Sequence, residues 1–341
     1  MPESNPALTL ALAMCFGILV QVISRHIKMP GIVLLLGVGI LLGPDMLGLI
    51  HPASLGKAMH MIVGFSVAVI LFEGGMNLRL NHIKREQHVI RQLITVGALV
   101  TAIGGVISSK LIIGWDWRNS ILFGVLIIVT GPTVITPLLK RLRFRRSVST
   151  VLEAEGVLLD AIGAVLAVVV LEVALSPSGL SFITGFFHII SRLLSGVIFG
   201  AAGGLGLALL LRIRRFIPES LENVFTLSMV FALFQISNTM SAESGVVAVT
   251  IAGLVVGNTK TAVRRELRDF EEEMTVLLIG MLFILLAADV QIVKLTSLGW
   301  RGISLVLVIS FILRPLAVFA GTWGSELNFK QKTLLSWIAP R

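Results

Sequence analysis

Tyrosine is absent, cysteine occurs once, and charged residues fill only 14% of the 341 positions. Each scarcity excludes something. The single Cys15 lies inside an apolar run, so there is no intramolecular disulfide and no CxxC metal site. Without Tyr there is no phenolic acid for catalysis. Soluble domains carry roughly 25% charged residues, so a cytosolic enzyme, a disordered tail and a nucleic-acid reader all fit poorly. The six His show no zinc spacing. Gly37, Gly39 and Gly43 mimic a dinucleotide fingerprint, but they sit in an uninterrupted apolar run that lacks the strand and turn such a motif needs. No cofactor is expected. What the chain does have is 55% hydrophobic residues and a mean hydropathy of +0.95, which is a membrane composition. Its start, MPESNPALTL, has no Lys or Arg before the apolar run, unlike a signal peptide. The first span is therefore expected to stay in the mature protein.

Runs of about 17 to 25 apolar residues, the length that crosses a bilayer, fall near residues 7–23, 30–49, 59–78, 92–113, 119–139 and 148–175. After a turn at Ser176, Pro177, Ser178 and Gly179, further runs lie near 191–211, 221–237, 244–257, 273–289, 300–321 and from 332 onward. The last is only half a span, and a helix ending in mid-bilayer would leave carbonyls unsatisfied in lipid. The chain is thus expected to continue beyond Arg341.

Basic loops are retained on the cytoplasmic side. The odd-numbered loops hold 20 of the 28 Lys and Arg, the densest being Lys140 to Arg146. This predicts an external N-terminus. It also explains the net charge of +9 as a topology signal, with added attraction to anionic lipid headgroups, and makes a nucleic-acid partner unexpected. Trp115, Trp117, Trp300, Trp323 and Trp337 flank spans, as interfacial anchors do.

An internal repeat emerges at an offset of 214 positions, which carries GIVLLLGVGILLG from Gly31 onto GVVAVTIAGLVVG from Gly245. The same offset carries LFEGGMNL from Leu71 onto LLAADVQI from Leu285. The matched spans are seven apart, an odd number, so they cross the membrane in opposite senses. An inverted repeat of this kind predicts a secondary transporter with its site at the repeat interface. The first repeat covers 7–175, a linker helix covers 191–211, and a truncated second repeat covers 221–341 of one transmembrane domain.

The fifth span clusters Thr130, Gly131, Pro132, Thr133, Thr136 and Pro137. Proline removes a backbone donor and obstructs the preceding turn, and broken helices with freed backbone groups are how many transporters build midplane ion sites. Thr130 is about 16 Å from the outer end at ~1.5 Å per residue, near the middle of a ~30 Å core. In the sixth span Asp160 is about 18 Å deep from the other side, level with Thr130. An ionisable group at that depth is a functional candidate. Glu153 shares the helical face of Asp160, whereas Glu155 points about 140° away and needs another neighbour. Arg341 reaches a depth similar to that of Glu155, so mutual pairing is the economical relief for two charges in lipid. Glu73 and Arg314 lie off this crossing and are read as structural.

LFEGGMNL (71–78), the break at Thr130 to Pro132, the segment Glu155 to Asp160 and APR (339–341) together resemble the monovalent cation:proton antiporter family of the sodium/proton exchanger type. The resemblance runs over essentially the whole chain. It implies an all-α polytopic membrane protein with crossed discontinuous helices. About 13 helices form the complete protein, and this chain ends within the twelfth. It further implies a homodimer in the cell membrane that exchanges Na⁺ or K⁺ for H⁺, with Asp160 binding cation and proton in turn, Thr130 lending oxygen, and Glu155 pairing with Arg341. A cytoplasmic regulatory domain beyond Arg341 is a further expectation. Three positions depart from the family pattern. Gly131 stands where most relatives carry Asp, Leu159 where Asn commonly precedes the site Asp, and Gly156 where Ser is found. Fewer side-chain oxygens remain, leaving backbone carbonyls near Gly131 and water to complete the coordination. The rival readings are a transporter of the same fold for another small solute and a transport-inactive membrane sensor or scaffold.

Overall fold

In lipid a backbone can satisfy its own N–H and C=O groups only within a helix or a closed barrel, and every regular element among the described residues is helical. The computed structural model describes residues 5–27, 29–131, 146–175, 181–213, 217–218, 221–259, 265–325 and 327–338. We number the principal helices α1 Pro6–Ile27, α2 Gly31–Leu42, α3 Lys57–Asn77, α4 Gln87–Ile113, α5 Trp117–Leu126 and α6 Arg146–Leu175. The others are α7 Ser181–Arg212, α8 Glu222–Met240, α9 Ser244–Asn258, α10 Arg265–Ala288, α11 Gly299–Gly321 and α12 Phe329–Ile338. Of these, α1, α3, α4, α6, α7 and α11 are long and apolar enough to cross a membrane, and α2 and α9 are shorter apolar helices.

Local chemistry sets several ends. Pro6 occupies the first position of α1, where its missing donor costs nothing, and the Asn5 side chain accepts from the Ala7 N–H at 2.9 Å. Gly31 opens α2 directly after Pro30, and α2 stops at Gly43, just before Pro44. Several helices depart from the spans expected above: α2 ends at Leu42 where a run to 49 was expected, and three others begin early. α4, α7 and α10 begin at residues 87, 181 and 265 rather than near 92, 191 and 273. Apolar runs mark the stretch that needs lipid, whereas the helical ladder runs on into polar sequence such as RELRDFEEE, whose Arg and Glu favour helix. α5 departs in the other direction, ending at Leu126 where an apolar run to 139 was expected.

Two groups of helices meet at α6. α1, α2, α3 and α10 share a core of Leu35, Val69, Leu278 and Ile284, and α3, α7, α8 and α9 close around Phe72, Leu207, Val230 and Val247. On the other side α4, α6 and α12 enclose Leu93, Val151 and Leu335. α6 serves both, since its Val165 belongs to the core around Phe72 and its Val151 to the core around Leu93.

The matched glycines make matched crossings. A β-carbon added at Gly253 of α9 would lie 2.1 Å from the Phe72 carbonyl oxygen of α3, and one at Gly257 would lie 2.2 Å from that of Met76. On α2, a β-carbon at Gly39 would meet the Ala287 side chain of α10 at 2.6 Å, and one at Gly43 the Ala288 carbonyl oxygen at 2.7 Å. α2 therefore crosses α10 as α9 crosses α3, the exchange of partners that an inverted repeat produces. α4 and α11, which are also repeat mates, both carry π turns, at Leu93–Gly97 and Ser109–Ile113 in α4 and at Ile309–Leu313 in α11. The turn in α11 runs straight into Arg314 and Pro315.

Candidate functional site

α5 gives up its α-helical ladder before the membrane is crossed. The N–H groups of Ile128 and Val129 reach back only three residues, to Val125 at 3.1 Å and Leu126 at 3.2 Å, and Thr130 and Gly131 continue without helix. Thr130 is buried, and its hydroxyl has no hydrogen-bond partner. A buried hydroxyl left unsatisfied is unfavourable unless something completes it. Pro132, expected as the cause of the break, and Pro137 lie outside the described residues.

The non-helical segment rests on α6 at the level of Asp160. Ile128 packs with Leu159, and a β-carbon at Gly163 would lie 2.5 Å from the Val129 side chain. These two contacts set the non-helical segment beside the 159–163 turn of α6, the turn that also carries the half-buried Asp160. Gly163 has no side chain to hold the chains apart. Leu159, where a polar residue would have added an oxygen, is fully buried against Ala98 and Ile128. The oxygen atoms on offer are thus the Asp160 carboxylate, the Thr130 hydroxyl, and carbonyls freed by the end of the α5 ladder. A carboxylate with a few neutral oxygens in a low-dielectric setting suits a small monovalent cation or a proton, and it cannot hold both at full occupancy.

One turn and a half earlier on α6, Glu155 is completely enclosed and points elsewhere. Both its carboxylate oxygens are engaged by Arg314 of α11, Nη1 donating to Oε1 at 2.7 Å and Nη2 to Oε2 at 3.1 Å, with both side chains 0% exposed. A parallel two-bond fork of this kind is the strong geometry for Arg and carboxylate. The sequence placed Glu155 on a face of its own and expected Arg341 as its partner, whereas Arg314, which it kept apart from this region, makes the pair. The missed signal was Arg314 itself, a cation deep in an apolar run and followed by Pro315. A π turn, Ile309–Leu313, immediately precedes it and shifts the helical phase at Arg314. Arg341 lies outside the described residues, so its expected pairing with Glu155 falls outside them as well.

Glu153 accepts a hydrogen bond from the Ser149 hydroxyl at 3.2 Å, within its own helix. Glu73 is buried in α3, where the Asn77 amide donates to it. Glu172 of α6 takes a two-bond contact from Arg192 of α7 at 2.8 and 2.9 Å, a second tie between α6 and a neighbour.

Residues 10–341 match the family described as sodium/hydrogen exchanger, transmembrane. A K⁺/H⁺ antiporter of Shewanella oneidensis is 28% identical over 97% of this chain and 58% of its own length. The Na⁺/H⁺ antiporter 1 of Methanocaldococcus jannaschii is 25% identical over 97% of this chain and 79% of its own length. A solved structure of the sodium proton antiporter of Methanocaldococcus jannaschii superposes with a TM-score of 0.80 at 25% identity, covering 96% of this chain and 80% of that one. The chain therefore spans less than two thirds of the length of the Shewanella relative.

Proposed function

This chain belongs to the sodium/hydrogen exchanger family, and from that premise we propose that the whole protein is a secondary antiporter exchanging Na⁺ or K⁺ for H⁺. The observation that carries the proposal is the buried, unpartnered Thr130 hydroxyl at the end of the α5 ladder, set against the part of α6 that bears Asp160. Asp160 binds cation and proton in turn. Thr130 and the backbone oxygens near Gly131 complete the coordination of the cation, and the break at Gly131 and Pro132 frees them. One carboxylate that trades one proton for one cation makes the exchange electroneutral.

Glu155 stays charged as the acceptor of a structural ion pair. Arg314 is its described partner, and Arg341 keeps a place in the proposal as a second cation, because a carboxylate has lone pairs beyond the two that Arg314 uses. The protein is placed in the cell membrane with its N-terminus outside, as a homodimer. The repeats divide at 7–175 and 221–341, and the 191–211 stretch of α7 links them.

Reconstitution tests the proposal. In proteoliposomes an outward Na⁺ or K⁺ gradient should drive proton uptake, and Asp160→Asn should abolish it while the variant still inserts. Exchange at a comparable rate by Asp160→Asn would remove Asp160 from the mechanism.

A further inference from the structure

α3, α8 and α10 pack on one another, and at one end of the bundle each carries a buried carboxylate. Glu73 lies one turn before the end of α3, Glu222 opens α8, and Glu271 sits in the second turn of α10. Glu271 precedes the apolar span that begins near residue 273, yet it is 0% exposed. Neither of its oxygens has a hydrogen-bond partner. One turn further along the same face, the Thr275 hydroxyl is also buried without a partner.

The surroundings of Glu271 contain no described cation to balance a charge. α1 brings Gln21, which donates to the Val276 carbonyl, while its Arg25 and His26 are exposed. α2 and the 3₁₀ turn Pro52–Leu55 hold no ionisable residue. α3 presents Glu73, whose charge acts on Glu271, and α8 presents Glu222. On α10 itself Arg265, Glu266 and Arg268 come before Glu271, and Asp269, Glu272 and Glu273 are exposed. Burial and the neighbouring carboxylate Glu73 both favour the neutral form of Glu271.

We propose that Glu271 is a second proton-binding site, a carboxylic acid that shares the α3–α10 crossing with Glu73 and carries its own proton in the packed state. One proton on Glu271 neutralises its carboxylate and relieves its repulsion with Glu73. Loss of that proton sets two like charges across the crossing and pushes α3 from α10. α3 is tightly held on its other side, where a β-carbon at Gly75 would lie 2.3 Å from the Thr250 carbonyl oxygen of α9. The occupancy of Glu271 is thereby felt in the packing of α3. The inference goes beyond cation exchange and does not depend on Asp160.

A hydrophobic carbodiimide reacts with protonated carboxyls in apolar surroundings, so it reads this state in the unaltered full chain. In lipid bilayers, with the adducts located by peptide mass spectrometry, Glu271 should be modified at neutral pH, and the yield should fall at least tenfold as pH rises. Glu73→Gln removes the neighbouring charge and should move that fall to lower pH, while added Na⁺ or K⁺ should leave it in place. Thermal melts supply a second reading. A proton kept by the folded state and lost by the unfolded chain makes stability fall as pH rises from the ordinary glutamate range until Glu271 itself ionises. Glu271→Gln should flatten that fall. Identical pH dependence of melting in both proteins overturns the proposal whatever the labelling yield, and so does protection of Glu271 by Na⁺ or K⁺. Should the Gln variant not fold, the wild-type labelling decides, and absent or pH-independent modification of Glu271 overturns it.

Discussion

Glu155 and Arg314 are the two residues whose removal should be felt most. Taking a charge pair out of water is expensive, and their attraction repays the cost only while both are present. Glu155→Ala or Arg314→Ala alone should destabilise by about 3–5 kcal/mol, because each strands a buried charge. The double variant should cost less than the sum. Thermal melts of the three variants in one detergent check this, and strict additivity would mean that the pair contributes nothing jointly. The pair is made by Glu155 and not by Asp160, so Arg314 ties α11 to the helix that also carries Asp160. The third turn of α6 is thus a structural fixture, about one and a half turns before Asp160, the residue proposed to carry the chemistry.

Among the elements, the α3–α9 crossing depends on the absence of side chains at Gly253 and Gly257. Gly253→Leu would drive a side chain into the Phe72 carbonyl, a contact that backbone cannot yield cheaply. Overpacking costs about 1–3 kcal/mol and occasionally more, and here a melting temperature well below that of the parent protein is expected. An unchanged melting temperature would mean that the helices cross elsewhere. The glycines of α2 and α9 were legible in the sequence because close packing requires them at fixed spacing, and the repeat could be read from them. The apolar spans were legible for the same reason, since lipid demands an unbroken run. Helix ends beyond the bilayer were not, because polar residues serve equally in a solvated helix and in a loop. The end of α5 was anticipated near Thr130 from its Gly and Pro cluster, and the ladder ends slightly earlier, at Leu126. The partner of Glu155 was not legible. A π turn has no composition signature, and Ile309–Leu313 reads in sequence as ordinary apolar helix, so the helical phase at Arg314 could not be read.

For the whole molecule, the count of basic loops predicts an orientation that can be checked by chemistry. In a Cys15→Ser background, a cysteine at Trp117 should react with a membrane-impermeant thiol reagent added to intact cells. One at Arg145 should react only after the membrane is opened. The reverse pattern would invert the protein and the sense of both repeats. The central claim remains that one carboxylate, Asp160, is contested by cation and proton. Its most direct test is the cation dependence of exchange in proteoliposomes at a series of pH values. Competition for one site makes the apparent KM for Na⁺ or K⁺ rise as pH falls, approaching about tenfold per pH unit once protons dominate the site, with the maximal rate at saturating cation unchanged. An apparent KM that stays constant while the maximal rate falls would show that proton and cation bind at separate places, and would contradict the account.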